Sequence, residues 1–319
     1  MSGVGEVRVI PLVAPRRIEP EDVGGRTPAD YLIDLVAHQD LSLESRDILV
    51  VSSKVASFFE GGTIQLESVV PGRRARLLAK GFGRDARKIE LILRSGPVTA
   101  VIPMAKIMRI PSLRKLMVER SPNPDALQRG YESTNNNVFV VPAHATYLDE
   151  AGIDNTNTPA GYVTRLPVDP CGTARRIREA VRERLGLEIA VIVTDTVTCF
   201  GRLGSQDLAI GYAGIDPITR GSFSEDLYGV PSSGGMDLVI DSVAGIAGLV
   251  MGQTTERTPA ALVRGIDYAD EPKGASQGME SIAYPREARV RTALLTLVAT
   301  LKYHVLSLLS LQRRPRGRN

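Results

Sequence analysis

The sequence contains few of the residues that build disulfide-linked, zinc-binding or histidine-based catalytic sites. It has two cysteines, Cys171 and Cys199, and three histidines, His38, His144 and His304, in 319 residues. The cysteines lack a metal-ligand spacing and the histidines are scattered, so a zinc site and a hydrolase triad have little support. No G-x-S-x-G nucleophile motif is present either.

Lysine is absent from residues 116 to 272, and the sequence has no G-x-x-x-x-G-K-[ST] phosphate loop. A Walker-type nucleotide triphosphatase is therefore excluded. The start, "MSGVGEVRVIPL", lacks the charged and apolar regions of a signal peptide, which together with the cysteine usage predicts a cytoplasmic protein in a reducing compartment.

One long apolar run covers residues 293 to 311, and Lys302 and His304 interrupt it. A membrane span needs about 20 residues with few or no charges, so the run favours a terminal helix packed on the core or on a partner subunit. A membrane span is the weaker alternative.

The positive charge of the chain is concentrated at its C-terminus. The formal net charge is +3, and leaving out the four arginines of the final "RRPRGRN" reduces it to −1. A specific nucleic-acid partner is therefore not expected, although a basic tail could touch RNA or a membrane surface weakly.

Length and apolar content predict a globular protein of two domains, because 319 residues exceed one average domain and 43% are apolar. Strands and helices alternate without a regular βαβ rhythm, which favours an α+β fold. Strands are predicted at 5–13, 47–55, 187–196 and 260–266, and helices from Thr27-Pro28, at 71–80, 86–95, 174–185 and 239–250, and near 293–311.

Residues from about 97 to 150 have no clear pattern. Several prolines and the amide run "STNNN" (133 to 137) break them into short pieces. A loop-rich insertion near 105–135 is therefore predicted.

Two aspartates are the main candidates for chemistry. Asp195 follows the apolar strand "LEIAVIVT", where a rigid backbone would hold its carboxylate, and Asp154 stands beside Asn155 and Asn157 before a turn. Two such acids could converge on Mg²⁺ or Mn²⁺ and neutralise phosphate oxygens during phosphoryl transfer. Both could instead be ordinary turn residues, and spacing alone does not decide between these interpretations.

Eight segments, in order, resemble the coenzyme F-420-0:L-glutamate ligase family over roughly residues 5 to 270. They are "DILVVSSKVASFFEG", "AGIDNTN", "LPVDPCGTARRIRE", "VIVTDT", "DLAIGYAGI", "DLYG", "VMGQ" and "PAALVRG". The resemblance implies a two-domain α+β fold that forms an intertwined homodimer. It divides the chain into a ligase-like region, 1–270, with two structural subdomains, and a C-terminal loop, helix and basic tail, 271–319.

The resemblance also implies an activity. Such ligases use GTP and divalent cations to add L-glutamate to a small-molecule acceptor, F-420-0, through an acyl phosphate. Two alternatives stay open: a divergent paralogue with another acceptor, such as a folate-like molecule or an amino-acid conjugate, and a binding protein that kept the fold without catalysis.

The implied site residues fall into two groups. Asp154 and Asp195 match the catalytic acids that bind the metal, and Thr196 matches a ligand of a second metal. The nucleotide-binding positions are Arg16, Arg17, Ser53, Lys54, Asn157, Gln253, Thr254 and Thr255.

The chain departs from the family pattern at several of these segments. Phe58 stands where a second lysine is usual, Thr198-Cys199 where a Gly-Arg pair is common, and Gln253 where some members carry a glutamate. Glu150-Ala151 replaces an asparagine and alanine before "GID". A lost phosphate-side cation and metal ligand would imply a different acceptor, a one-metal site or no ligase activity.

Overall fold

The computed structural model describes residues 6–127, 137–199, 202–219, 224–232, 234–272 and 278–311. The strands are β1 (Arg8–Leu12), β2 (Ile48–Ser52), β3 (Thr63–Gln65), β4 (Ala100–Ile102), β5 (Val138–Ala143), β6 (Thr146–Asp149), β7 (Tyr162–Thr164), β8 (Ala190–Thr198), β9 (Ser205–Ala213) and β10 (Ala260–Arg264).

The α-helices are α1 (Pro20–Val23), α2 (Pro28–His38), α3 (Ser53–Phe59), α4 (Arg73–Phe82), α5 (Ala86–Ser95), α6 (Met104–Ile107), α7 (Pro111–Arg120), α8 (Pro170–Leu185), α9 (Val239–Met251) and α10 (Arg286–Leu311). Short 3₁₀ turns cover Leu66–Ser68, Glu150–Gly152 and Met279–Ser281. The mixture of helices with parallel and antiparallel pairing confirms the α+β class.

A five-stranded sheet in the order β1-β10-β2-β8-β9 carries the main core. Only β2 and β8 pair in parallel, and the other neighbours are antiparallel. Leu49 and Val51 of β2 pack with α2 and α8 on one face, whereas Ile48 and Val50 pack with α9 on the other. The strand is thus buried on both faces because helices cover both sides of the sheet.

A separate apolar cluster surrounds two smaller sheets, β4-β5-β6 and β3-β7. Helices α4 and α5 pack against it, with Ile89, Ile92 and Phe139 at its centre. The division of residues 1–270 into two subdomains stays a prediction.

Local signals located most helix ends well. Thr27 and Asp30 form the expected capping box of α2, and Gly186 ends α8 in the left-handed region. The strand predicted at 47–55 is shorter, because the chain turns into α3 at Ser53.

The prediction of a loop-rich segment at 105–135 is partly wrong, since α7 and most of α6 lie there. Proline starts α7 at its first turn, where the missing N–H costs nothing, so the prolines mark helix starts as well as breaks. Residues 128–136 of this segment lie outside the described residues.

The C-terminal helix α10 exists as predicted, but the apolar side chains that the structure describes on it do not join the main core. Eight of them are between 49% and 69% exposed: Leu294, Leu295, Leu297, Val298, Leu301, Tyr303, Val305 and Leu306. Packing on the core is therefore wrong for these residues, and packing on a partner stays a prediction. In the part of the chain that the structure describes, no helix is long and apolar enough to cross a membrane.

Candidate functional site

The site begins at the end of β2, beside the longer parallel strand β8. Ser52 pairs with Thr194 at the last register position of the two strands, so Ser53, the first residue of α3, lies beside Asp195 of β8. The Ser53 hydroxyl donates to Oδ1 of Asp195 at 2.8 Å. Parallel pairing therefore puts the carboxyl end of β2 and Asp195 at one edge of the sheet, and ligands often bind at the carboxyl ends of parallel strands.

Asp154 reaches the same edge from a different segment. A backbone bridge holds it, with Asp154 N–H donating to the Thr164 carbonyl at 3.0 Å and the return bond at 2.8 Å. Lys54 Nζ forms an ion pair with the Asp154 carboxylate and donates to the Thr156 carbonyl at 2.6 Å. The lysine therefore connects the start of α3 to the loop that carries Asp154.

The two carboxylates have opposite pKa shifts. Burial raises the pKa of Asp195 to about 6, against the lowering effects of the Ser53 hydroxyl and the Lys54 charge. Burial also acts to raise the pKa of Asp154, but the Lys54 ammonium and the Thr156 N–H outweigh it and hold that pKa below its usual value. The negative charge of Asp154 contributes to the raised pKa of Asp195, so the two groups are electrostatically coupled.

Thr196 heads a second polar cluster at the same edge. Its hydroxyl lies 2.8 Å from Oδ1 of Asp207 and 2.9 Å from Oε1 of Gln253. Gln253 Nε2 donates to the same Asp207 oxygen at 3.3 Å. Asp207 faces Thr196 across the β8–β9 pair and is 9% exposed. The arrangement brings the side chains of Thr196 and Gln253 into contact.

The loop after α9 lies beside the Asp154 loop. Asn157 Nδ2 donates to the Thr254 carbonyl at 2.8 Å, and Asn157 itself has a φ of 52°, a left-handed conformation that asparagine tolerates well. Thr254 and Thr255 are exposed on that loop. These contacts place three of the predicted nucleotide residues on one surface.

The N-terminal loop reaches the same surface through its backbone. Ala14 N–H donates to the Arg257 carbonyl at 2.7 Å, and Arg257 donates to the Pro15 carbonyl at 2.8 Å. The side chains of Arg16 and Arg17 instead pair with Asp22 and Glu19, respectively. The backbone of the loop therefore lies at the site, but the structure does not bring these two guanidinium groups to the carboxylates of Asp154 and Asp195.

The departures from the family pattern have clear local environments. Phe58 lies one helical turn after Lys54 on α3, and its ring packs edge-on against Phe59 with centroids 6.3 Å apart. The Thr198 hydroxyl donates to the Asp149 carboxylate, and the Cys199 N–H donates to the Gly204 carbonyl at 3.1 Å. These residues serve packing and turn formation.

The donor set fits a divalent cation that arrives with a phosphate ligand. Among the described residues, no group of three or more His, Cys, Asp or Glu side chains is placed to hold a metal. Asp154 and Asp195 still provide two hard carboxylates, and Thr196 and Gln253 provide neutral oxygens. Mg²⁺ is commonly held by one or two carboxylates plus substrate phosphates, because it needs oxygen ligands but not a complete protein cage.

Sequence reasoning did not assign a role to Asp207 or Thr156. Asp207 would have been found by pairing β8 with β9, because the register places it directly opposite Thr196. The Thr156 contribution is a backbone carbonyl, and no side-chain pattern reveals such a ligand.

Comparison with known proteins gives a consistent result. The family model described as F420-0:Gamma-glutamyl ligase matches residues 24–265. A coenzyme F420:L-glutamate ligase of Methanopyrus kandleri is 30% identical over 289 residues, which cover 91% of this chain and 95% of that protein. Proteins of the same name from Methanothermobacter thermautotrophicus and Archaeoglobus fulgidus are 31% and 30% identical, each covering 76% of this chain and 84% of the relative.

Proposed function

The chain belongs to the F420-0:gamma-glutamyl ligase family, and on that premise we propose that it adds L-glutamate to a carboxylate acceptor of the F-420-0 type, with GTP and Mg²⁺ or Mn²⁺. The observation that carries the proposal is the convergence of Asp154 and Asp195 on Lys54. One carboxylate pairs with its ammonium and the other is influenced by its charge.

In the proposed reaction, the acceptor carboxylate takes the γ-phosphoryl group of GTP and GDP leaves. The amino group of L-glutamate then attacks the acyl carbon, phosphate departs with the C–O bond electrons, and the nitrogen loses a proton to give the amide. A bound divalent cation would neutralise charge on the phosphate oxygens. The reaction is balanced with GTP, the acceptor and L-glutamate as its only substrates.

The residues of the chain would bind and orient. Asp154 and Asp195 would hold the cation, and Thr196 and Gln253 would offer further oxygens. Lys54 would leave Asp154 for a phosphate oxygen, because an ammonium donor pairs well with either anion. The bond from Asn157 to Thr254 would keep the two nucleotide loops at a fixed spacing.

We also propose that the active form is a homodimer. Leu227 and Tyr228 are 101% and 92% exposed at the tip of a turn, which is an unfavourable place for two large apolar side chains in an isolated chain. The Asp226 carboxylate accepts the N–H groups of Tyr228 and Val230 and holds the tip in one conformation. A preformed apolar tip suits a protein interface. Size-exclusion chromatography with light scattering measures the mass of the protein in solution. A monomer at micromolar concentration would contradict the proposed homodimer.

The function is tested by incubating the purified protein with GTP, Mg²⁺, L-glutamate and F-420-0. We expect GDP and phosphate in equal amounts and a product heavier by one glutamyl residue by mass spectrometry. Omitting the acceptor should stop GDP release, and ATP in place of GTP tests the nucleotide.

GDP release only with a folate-like acceptor or an amino-acid conjugate would replace the proposed acceptor. The absence of GTP binding in folded protein would contradict catalysis altogether.

A further inference from the structure

Asp207 has a position that the proposed reaction does not explain. It is nearly buried at the end of the sheet, and its Oδ1 is within hydrogen-bond distance of both Thr196 and Gln253. It therefore contacts two residues that offer oxygens to the site.

Helix α9 leaves room for this carboxylate at Gly248. A methyl group on Gly248 would meet Oδ2 of Asp207 at 2.0 Å, which is too close for any Cβ contact. The absence of a side chain at Gly248 thus allows Asp207 to lie against the helix backbone with Oδ1 directed at Thr196.

Hydrogen-bond counting shows what the carboxylate can do. The Thr196 hydroxyl has one hydrogen and two acceptors in reach, Asp207 Oδ1 at 2.8 Å and Gln253 Oε1 at 2.9 Å. If a cation binds both the Thr196 and Gln253 oxygens, the hydroxyl hydrogen must point away from it. Asp207 is the acceptor that then receives this hydrogen.

The same carboxylate orients Gln253. Its Nε2 donates to Asp207 Oδ1 at 3.3 Å, which leaves Oε1 available on the other side of the amide. An ionised carboxylate only accepts hydrogen bonds. Asp207 therefore attracts the hydroxyl hydrogen of Thr196 and the amide hydrogens of Gln253, and the lone pairs of their oxygens are left to face the site.

We propose that Asp207 is a positioning residue that directs the Thr196 hydroxyl hydrogen and the Gln253 amide hydrogens away from the site, so that both oxygens face a divalent cation bound with the nucleotide. This inference rests on the proposed function. It also gives the neutral Gln253 a way to act as a ligand, because its oxygen is held in place by a charged neighbour.

The test is Mn²⁺ binding, measured from the electron paramagnetic resonance signal of free Mn²⁺ with a saturating non-hydrolysable GTP analogue. Asp207→Asn keeps the shape but can donate hydrogens, so we expect its Mn²⁺ affinity to fall about tenfold, the usual effect of losing an outer-shell partner. Gly248→Ala should also weaken binding, because the added methyl displaces Asp207 without removing a polar group.

A double-mutant cycle separates positioning from a merely structural role. If Asp207 acts through Thr196 and Gln253, adding Asp207→Asn to Thr196→Val should lower the Mn²⁺ affinity less than Asp207→Asn lowers it in the wild type, because only Gln253 is then left to orient. Additive losses would overturn the inference, as would Asp207→Asn binding within twofold of the wild type.

The matched control is Asp241→Asn. Asp241 also joins α9 to β9, accepting the Ala209 N–H at 2.9 Å, but it lies seven residues before Gly248 on the helix. Its substitution should leave Mn²⁺ affinity unchanged.

Two further outcomes have distinct meanings. Wild-type protein that binds no Mn²⁺ with the analogue contradicts the proposed function and this inference together, whereas normal wild-type binding with an unaffected Asp207→Asn contradicts only the inference. If Asp207→Asn does not fold, Gly248→Ala decides, and its normal Mn²⁺ affinity would overturn the inference.

Discussion

Ser53 donates its side-chain hydrogen to Asp195 at 2.8 Å although 142 residues separate them in the chain. The contact exists because β2 and β8 run parallel and their last paired residues, Ser52 and Thr194, immediately precede Ser53 and Asp195. It fixes the orientation of a carboxylate whose burial raises its pKa to about 6. Ionisation of Asp195 lowers the stability of the folded protein, because the charged carboxylate is less favourable in this buried position than in water.

Asp195→Asn should stabilise the protein at pH 8 and abolish Mn²⁺-dependent GTP binding. The folded-state pKa of Asp195 is raised, so its favourable contribution to folding is complete below pH 3.8 and is lost as pH rises through about 6. We expect a gain of about 1–2 kcal/mol in the free energy of unfolding at pH 8, shrinking at pH 5.

Urea denaturation at both pH values measures the change in the free energy of unfolding. Calorimetric titration measures the affinity for GTP in the presence of Mn²⁺. Asp154→Asn is the matched control, because the pKa of Asp154 is lowered in the folded protein. Ionised Asp154 therefore stabilises the fold at pH values above the pKa of the unfolded state, and this stabilisation is lost as the pH falls. That variant should therefore lose stability at pH 8. Wild-type GTP affinity in Asp195→Asn would contradict the metal assignment.

Lys54→Met should change the affinities for cation and nucleotide in opposite directions. Without nucleotide the ammonium neutralises Asp154, so its removal frees that carboxylate and should tighten binding of Mn²⁺ alone several-fold. Loss of the phosphate partner should weaken GTP binding about tenfold, or 1.4 kcal/mol. Calorimetry with each ligand separately tests both signs.

The control for Lys54 is Lys80→Met, which removes an exposed lysine from α4 and should leave both affinities unchanged. A Lys54→Met variant that lost Mn²⁺ and GTP affinity together would indicate general disruption of the site.

Arg84→Met should destabilise the protein by about 3 kcal/mol, because it leaves the Glu150 carboxylate with its charge unpaired in a largely buried setting. Glu150 has a left-handed φ of 54° and also accepts the Phe139 N–H at 2.9 Å. It begins the left-handed turn that leads to Asp154. Urea denaturation measures the loss.

The control for Arg84→Met is Arg87→Met. Arg87 forms an ion pair with Asp85 that is more exposed, with 40% of the Arg87 side chain and 33% of the Asp85 side chain accessible to solvent. That variant should lose no more than about 1 kcal/mol, since exposed ion pairs contribute little. Equal losses in the two variants would show that the burial of Glu150 has no special effect.

Removing residues 286–319 should leave folding and GTP binding intact. The described apolar side chains of α10 lie outside the three core clusters, and the polar contact of Ser281 with Tyr212 precedes the cut. We expect the same thermal midpoint and GTP affinity as the full chain. A lower midpoint, measured by differential scanning calorimetry, would show that α10 stabilises the core.

Elements with strong local signals were predictable from the sequence. Helix α5 begins after Asp85, whose side chain accepts the Arg87 N–H, and its predicted bounds at 86–95 are confirmed. The α+β class and the family also followed from sequence, because eight ordered segments carry them. The boundary at Ser53 was missed, since a β-rich run and a helix start give similar apolar patterns over so few residues.

The sequence by itself determined which residues are available for chemistry: two acids, a lysine, hydroxyls and amides at segment ends. Only the tertiary structure decided how they meet, since strand pairing joins Ser53 to Asp195 and brings Lys54 to Asp154. It also decided the role open to Asp207, because the space at Gly248 belongs to a helix about 40 residues further along the chain. Local propensity acts over a few residues, whereas contacts of this kind depend on strand register and on packing between distant segments.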